Sequence, residues 1–233
     1  TDWINWNTSV WRGLDPNGTH KKWGFVLWDE DATFNHYINY TNVPNEDPDA
    51  YPCYPEWINS DPLGVIDILN ALLENEDFTQ YYITRYMDLL NTVYLKDDMI
   101  ELLEGIENSI EPDMSQHISR WGGSLMEWRS NVAKIKNFIS DRIDYFPEGL
   151  NSCYDLSGPY DITLEVAPMN TGQIKFNSLT IESDDYPWSG KYHGGIDMLV
   201  EATGNYAFNH WELHNHVITD PYLPSFSLML SQS

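Results

Sequence analysis

The spacing of apolar residues changes once along the chain, near residue 150, and this change limits the possible folds most strongly. Before it, residues 64–146 repeat apolar side chains every three or four positions, which is typical of amphipathic helices. After it, stretches such as "YDITLEVAP" and "GQIKFNSLTI" alternate apolar and polar residues, which is typical of half-buried strands. Helices followed by strands favour an α+β fold over one in which the two alternate.

This pattern predicts two domains. We predict a mostly helical domain over residues 1–148 and a small all-β domain over residues 149–233. The stretch "FPEGLNSCYDLSGP", residues 146–159, contains Pro, Gly and polar residues and is predicted to be the linker. Residues 1–60 are predicted to form loops around one or two short strands, of which the apolar run "WGFVLW" is the clearest and is expected to be buried.

The helical pattern predicts four or five helices between residues 64 and 146. We predict Asp77 as the N-cap of the helix that begins with "DFTQYY". Pro112 is expected near the start of a separate helix, because proline is tolerated in the first turn. Gly122 and Gly123 would end that helix, and Ser124 is predicted to cap the longest one.

The charge of the chain excludes several classes of partner. Lys and Arg total 12 against 36 Asp and Glu, which gives a formal net charge of −24. Such a surface repels nucleic acids and anionic lipids, so neither is an expected partner. No run of 18 apolar residues exists, so no membrane-spanning segment is predicted. The acidity suits a secreted protein or one that collects divalent cations, and solubility alone also explains it.

Three acids directly follow the predicted strand: Asp29, Glu30 and Asp31. Asp29 and Asp31 stand two apart and would face the same way in an extended segment. Mg²⁺, Mn²⁺ and Ca²⁺ prefer such oxygen ligands. Asp2 and Asn7 stand five apart, the spacing of the catalytic Asp and the metal-binding Asn of protein kinases. These residues indicate a divalent cation site, and the alternative is that they cap a turn and a loop.

The segment "DWINWNTSVWRGLDPNGTHKKWGFVLWDEDATF" resembles the core of the spore-coat-protein-H (CotH) kinases, atypical kinase-like proteins found in spore coats and in secreted bacterial proteins. The similarity continues through "FTQYYITRYMDLLNTVY" and "IEPDMSQHISRWGGSLMEWRSNVAKIKNFISDR", and covers residues 1–146. The helical block of that family ends in an Arg-Trp, Trp-x-x-x-Val, Phe-Ile-x-x-Arg series. Here those positions are Arg120, Trp121, Trp128, Val132, Phe138, Ile139 and Arg142.

The resemblance implies a role for each residue of the candidate site. Asp2 would be the catalytic Asp that receives the proton of the substrate hydroxyl. Asn7 and Asp29 would bind the metal and the nucleotide, and Asp31 is a further candidate metal ligand. The implied reaction is transfer of phosphate from Mg-ATP or Mn-ATP to Ser or Thr hydroxyls of a protein substrate.

The resemblance also implies a mostly helical, kinase-like C-lobe. Kinases need an N-lobe with a nucleotide-anchoring Lys and its Glu partner, which we expect elsewhere in the parent protein or on another chain. This chain alone is therefore expected to be inactive. The competing hypothesis is a non-catalytic extracellular scaffold or adhesion protein with a kinase-like fold, whose acids bind a structural Ca²⁺ or nothing.

The chain has two cysteines, Cys53 and Cys153. By themselves they are compatible with one long-range disulfide or with two free buried thiols. Secreted members of the family often hold one Cys in a Pro-rich loop and one just after the helical block. The resemblance therefore favours a disulfide between these two residues, and a secreted or cell-surface location.

A separate metal hypothesis concerns the spacing of three histidines near the end of the chain. His210, His214 and His216 form an H-x3-H-x-H series. The last two would share a strand face, and the three histidines could bind Zn²⁺ with Glu212 or His193 as a fourth ligand. The alternative is that the three histidines are solvated or lie at the edge of a core.

Overall fold

The computed structural model describes residues 7–19, 21–28, 33–35, 43–204 and 207–231. The chain folds into two compact units. One unit comprises Thr1–Leu73 and Lys96–Gly149, and the other comprises Glu74–Leu95 and Leu150–Ser233. Helices and small antiparallel sheets both occur, which confirms the predicted α+β class.

The first unit opens with a two-stranded hairpin. Strands β1 (Thr8–Trp11) and β2 (Gly24–Leu27) pair antiparallel, with Thr8 opposite Leu27. The predicted strand "WGFVLW" is confirmed as β2, but its predicted burial is wrong. Trp23 and Phe25 are each 63% exposed. A hairpin of two strands buries little apolar surface by itself, so these side chains stay exposed unless another surface covers them.

Helix α1 (Val65–Leu73) follows a short 3₁₀ helix and begins at a side-chain cap. The carboxylate of Asp61 accepts hydrogen bonds from the backbone N–H groups of Val65, at 3.0 Å, and Ile66, at 2.7 Å. These amides have no partner within the helix, so the carboxylate satisfies them and fixes where the helix starts. Ile66 is 2% exposed and directs the apolar side of the helix into the core of this unit.

Two long helices, α3 (Lys96–Trp121) and α4 (Leu125–Tyr154), complete the first unit. The turn between them contains Gly122 and Gly123, whose φ angles of 89° and 91° are accessible to glycine without strain. The hydroxyl of Ser124 accepts the backbone N–H of residue 127 at 3.1 Å. This contact confirms the predicted helix cap at Ser124.

Ion pairs join α3 to α4 along their length. From one pair to the next, the residue on α3 lies closer to the N-terminus of its helix and the residue on α4 lies closer to the C-terminus of its helix. The two helices are therefore antiparallel. Each exposed pair contributes little, and their value lies mainly in fixing the register of the two helices. The pairs are Glu111 with Arg129, Glu107 with Lys136 at 2.7 Å, and Asp144 with Lys96 at 2.6 Å.

Two predicted breaks in this region are wrong because both helices continue through a proline. Pro112 lies inside α3 rather than at the start of a separate helix, and the ion pairs of Glu107 and Glu111 hold the helix to α4 just before it. Pro147 lies inside α4, which extends to Tyr154 and occupies most of the predicted linker. Proline disfavours a helix interior, yet neither helix is interrupted at these positions.

The second unit combines one helix with six strands. Helix α2 (Glu76–Leu90) has Asn75 as its N-cap, which accepts the N–H of Phe78 at 2.9 Å, so the prediction of Asp77 is wrong. Strands β3 and β6 form one antiparallel pair, and a four-stranded sheet has the order β5-β4-β7-β8. The period-two segments after residue 150 are thus confirmed as strands. Their bounds are β3 Ser157–Leu164, β4 Gln173–Phe176, β5 Leu179–Ile181, β6 Trp188–Gly194, β7 Asp197–Thr203 and β8 Ser225–Met229.

The core of the second unit is aromatic. The rings of Phe176 on β4 and Tyr192 on β6 meet edge to face, with centroids 4.8 Å apart. Trp188 lies beside both rings, at 6.3 Å from Phe176 and 6.2 Å from Tyr192. Such pairs add to the hydrophobic stabilisation that burial already supplies. Met198 on β7 is fully buried in the same unit.

Helix α2 is held to these strands by polar contacts. The carboxylate of Asp88 accepts the backbone N–H of Ser178 at 3.0 Å and the hydroxyl of Tyr192 at 2.9 Å. The side-chain amide of Asn91 donates to the carbonyl of Lys191 at 2.8 Å and accepts the N–H of that residue, also at 2.8 Å. Asn91 therefore bonds to β6 as a neighbouring strand would.

The division into sequence domains at residues 1–148 and 149–233 stays a prediction, because units of packing do not by themselves define domains. Helix α2 precedes the predicted boundary in sequence, yet it packs with strands that follow it. The strands are therefore built around a helix from the earlier part of the chain.

Candidate metal and nucleotide site

The candidate site lies where the hairpin strands begin and end. Asp2, Asp29 and Asp31 fall outside the described residues, so the positions of their side chains stay predictions. Asn7 is described and is 9% exposed, with Thr8 beside it at 4%. The hairpin, exposed elsewhere, is thus buried at the end that carries the candidate metal ligand.

The backbone links Asn7 to the acidic segment. The N–H of Trp28 donates a hydrogen bond of 3.2 Å to the carbonyl oxygen of Asn7. This bond extends the β1–β2 ladder by one pair beyond Thr8 and Leu27. Asp29 is the next residue after Trp28, and consecutive Cα atoms are about 3.8 Å apart. The strand register therefore pairs Asn7 with Trp28, 21 positions further along the chain, and Asp29 itself lies outside the described residues.

The described residues that follow the acidic segment in sequence contact α4 and the Pro-rich loop, residues 43–57. The ring of Phe34 contacts the ring of Phe138 edge to face, with centroids 5.9 Å apart. The next residue, Asn35, donates its side-chain amide to the carboxylate of Asp47 at 2.9 Å. These contacts tie residues 34 and 35 to α4 and to the Pro-rich loop.

The helical motif of the sequence resemblance supports this arrangement. Ile139 on α4 is 5% exposed and belongs to the core of the first unit. One turn further on, the guanidinium of Arg142 donates to the backbone carbonyls of Pro48, at 3.0 Å, and Ala50. The same guanidinium lies over the ring of Phe146, 4.6 Å from its centroid. Arg142 thus holds the Pro-rich loop to α4.

The donor set at this site fits a hard divalent cation. Asn7 would contribute an amide oxygen, and Asp29 and Asp31 would contribute carboxylates. Mg²⁺ and Mn²⁺ are bound in proteins by such oxygen ligands, commonly one or two carboxylates together with substrate phosphates. The chemistry of the residues is therefore compatible with the metal-nucleotide complex that the sequence resemblance implies.

The disulfide predicted from the resemblance is confirmed. Both cysteines are disulfide-bonded, and because the chain has only two, Cys53 is bonded to Cys153. Cys53 is 3% exposed and follows Pro52 in the Pro-rich loop. A Cβ atom at Gly149 of α4 would lie only 2.7 Å from the side chain of Pro52, so glycine permits the close approach of helix and loop.

The histidine series does not form a zinc site in the described part of the chain. No group of three or more His, Cys, Asp or Glu side chains is placed to hold a metal among these residues. His210 lies 3.0 Å from the carboxylate of Glu212 on an exposed part of the surface. The spacing of His210, His214 and His216 therefore does not bring the three rings together.

Two polar residues of the second unit are buried: Asp88, which the sequence did not single out, and His193, which was considered only as a zinc ligand. Burial raises the pKa of Asp88, while hydrogen bonds from Ser178 and Tyr192 oppose this shift. Burial lowers the pKa of His193 to about 4, and its Nδ1 lies 2.6 Å from the side-chain oxygen of Asn151. The sequence held one indication that Asp88 is buried, because it directly follows Met87, which lies on the apolar side of α2.

Comparison with known proteins identifies the family. The family model of CotH, the CotH kinase protein, matches residues 1–146. The chain therefore belongs to the CotH kinase family. The match includes the hairpin, α1, α2, α3 and most of α4. No curated protein and no solved structure matches the chain. Among the described residues, no helix is long and apolar enough to cross a membrane.

Proposed function

We propose that this chain is the C-terminal lobe of a secreted or cell-surface atypical protein kinase that uses Mg-ATP or Mn-ATP. The observation that carries the proposal is the hydrogen bond between the Trp28 N–H and the Asn7 carbonyl. It extends the strand register to Asn7 and Trp28, the residue before Asp29 in sequence, which supports a site that contains Asn7 and Asp29 in kinase order. Membership of the CotH kinase family supports the same function.

The proposed reaction assigns one task to each residue. Asp2 accepts the proton of the attacking Ser or Thr hydroxyl, whose oxygen forms a bond to the γ-phosphorus. The bond between that phosphorus and the bridging oxygen of ADP breaks, and ADP leaves. Asn7, Asp29 and Asp31 would hold the divalent cation, which would supply the positive charge that neutralises the phosphates. These four residues bind and orient the reactants and take up one proton.

The activity needs a nucleotide-anchoring Lys and its Glu partner, which belong to the N-lobe of a kinase. We propose that this lobe comes from another part of the parent protein or from a second chain. The chain by itself is then expected to bind nucleotide weakly and to phosphorylate protein substrates inefficiently. The acidic surface favours acceptor proteins with basic segments around the phosphorylated hydroxyl, since opposite charges steer association.

The test compares phosphate transfer by the parent protein with that by this chain alone. Labelled γ-phosphate from Mg-ATP or Mn-ATP should appear on Ser or Thr of an acceptor protein only when the parent is used. Asp2→Asn in the parent should abolish transfer, while Asp15→Asn, at an exposed turn of the same hairpin, should preserve it. Transfer that survives Asp2→Asn would overturn the proposed role of that residue.

A second candidate function is a non-catalytic scaffold with a structural Ca²⁺. The exposed apolar hairpin favours it, because a catalytic lobe does not require seven large hydrophobic side chains on its surface. Ca²⁺ binding that is unaffected by ATP, together with no phosphate transfer by the parent protein, would favour the scaffold. The exposed side chains are Val10, Trp11, Leu14, Trp23, Phe25, Val26 and Trp28.

A further inference from the structure

One face of the β1–β2 hairpin is apolar and exposed. Val10 lies directly opposite Phe25 in the strand register, and side chains two positions along each strand share their face, which adds Arg12 and Trp23. The two aromatic side chains are each 63% exposed. The guanidinium of Arg12 lies 5.6 Å from the centroid of the Trp23 ring. We call Val10, Arg12, Trp23 and Phe25 the hairpin face.

The charged residues of the hairpin are mostly basic, although the protein as a whole is acidic. The hairpin carries three cations, Arg12, Lys21 and Lys22, against the single anion Asp15. The whole chain has a formal net charge of −24. A basic apolar surface of this kind is expected to bind an apolar surface with an acidic rim, because complementary charges favour association and reject other partners.

A surface with those properties is present on α3 of the same unit. It is a shallow groove of about 510 Å³, in which Leu102 is 68% exposed and Ile106 is 48% exposed. Two exposed carboxylates, Asp98 and Glu101, form its rim. The residues that line this α3 groove are Asp98, Glu101, Leu102, Gly105, Ile106 and Ser109.

Gly105 gives a second indication that another surface approaches here. Glycine destabilises a helix interior relative to alanine, so its presence needs a reason. A Cβ atom at Gly105 would meet no other atom of the protein within 4 Å, so packing within the described chain does not require glycine. A segment that enters the groove from outside would come closer to the helix backbone at glycine than at any other residue.

We propose that the hairpin face of one copy binds the α3 groove of a second copy. Both surfaces lie in the first unit and both are exposed, so they are not paired with each other within one chain. The contact joins two different surfaces and is head-to-tail, which produces rings or open chains rather than a symmetric dimer with one shared patch. It does not involve Asp2, Asn7 or Asp29 and is independent of phosphate transfer.

Sedimentation velocity on the whole chain tests this contact. The sedimentation coefficient should rise between about 1 µM and about 1 mM, the range of weak protein contacts. A protein that stays monomeric over this range would overturn the proposal and leave both surfaces to another partner.

Two variants separate the two halves of the contact. Gly105→Leu fills the groove and improves helix propensity, so lost association cannot result from unfolding. Trp23→Ser combined with Phe25→Ser removes the hairpin face at exposed positions. Each variant alone should be monomeric, and an equimolar mixture should form a one-to-one dimer, since each supplies the surface that the other lacks. Met126→Lys, at an exposed site on α4, is the control and should associate as the wild type does.

Persistent association of the Gly105→Leu variant would contradict the proposal, because it would mean that the hairpins bind each other or that another surface is used. A mixture of the two variants that stays monomeric would contradict it as well. Circular dichroism of each variant shows that the helices are intact.

Discussion

The hydroxyl of Tyr192 donates a hydrogen bond of 2.9 Å to the carboxylate of Asp88, and both residues are completely buried. Asp88 belongs to α2, within the part of the chain that matches the CotH family, and Tyr192 belongs to β6, outside it. A buried polar pair of this kind depends on both partners, because a lone buried donor or acceptor is costly. The β strands therefore complete the environment of a family helix.

Asp88→Ala is expected to lower the free energy of unfolding by about 3 kcal/mol, because it leaves the Tyr192 hydroxyl and the Ser178 N–H buried without their acceptor. Asp88→Asn should cost only about 1 kcal/mol, since its amide oxygen can still accept from Ser178. Urea titration measures both values. Asp184→Ala, an exposed carboxylate of the same unit, is the control and should change stability little. Equal stabilities of the wild type and Asp88→Ala would contradict the role of this carboxylate.

Removal of residues 155–233 should unfold α2, although the truncated chain keeps the whole family match. The helix would lose the partners of Asp88 and Asn91 and the aromatic core beside Tyr192. Hydrogen exchange followed by mass spectrometry should show that amides of residues 76–90 are protected in the whole chain and exchange fast in the truncated one. Protection that survives truncation would mean that the strands form a separable module.

His193 should make stability depend on pH in the acidic range. Its pKa is lowered to about 4 in the folded protein, because burial disfavours the charged ring, and the unfolded chain has the ordinary value of about 6.5. As pH falls below about 6.5 the unfolded state binds the proton first, so the stabilising contribution of the neutral ring is lost progressively down to about pH 4. The total loss is about 3 kcal/mol, at about 1.4 kcal/mol per pH unit.

The measurement is the difference in unfolding free energy between the wild type and His193→Gln as a function of pH. Gln cannot titrate, and its amide can still donate to Asn151. The difference should shrink by about 3 kcal/mol between pH 6.5 and pH 4. A flat difference for His193→Gln would show that the pKa of this ring is the same in the folded and unfolded states, which would contradict the lowered pKa.

The disulfide should leave no titratable thiol. The unreduced protein, unfolded in denaturant, is expected to show no free thiol, and two should appear after reduction. Replacement of both Cys53 and Cys153 by Ser should lower the unfolding free energy by up to about 5 kcal/mol, because the bond closes a loop of about 100 residues. Two free thiols in the unreduced protein would refute the bond.

Local pattern predicted the fold class, the strand β2 and the cap at Ser124, since each depends on residues close in sequence. It failed where distant contacts decide the outcome. Pro112 was expected to start a helix, but α3 continues through it alongside α4, a long-range packing that the local pattern does not reveal. The partners of Asp88 are about 90 and 104 positions away, beyond what helix periodicity can reveal.

The candidate site was predictable in part for the same reason. The order of Asp2, Asn7 and Asp29 could be found in the sequence, because motif spacing is a local property. The pairing of Asn7 with Trp28 depends on the strand register. A buried face normally fixes the register of a strand, and both faces of this hairpin carry exposed side chains, so the sequence pattern did not predict the register. The anchoring of Phe34 on Phe138 depends on the packing of α4 and had no signal in the sequence spacing.

The central claim is that Asp29, next to the Asn7–Trp28 pair, binds a divalent cation together with nucleotide. Calorimetric titration of Mg²⁺, Mn²⁺ and Ca²⁺, with and without ATP, tests it on the wild type, Asp29→Ala and the control Asp184→Ala. We predict Mg²⁺ or Mn²⁺ binding that tightens with ATP, is lost in Asp29→Ala and is kept in the control. Binding that is unchanged in Asp29→Ala, or Ca²⁺ binding that ignores ATP, would contradict the account.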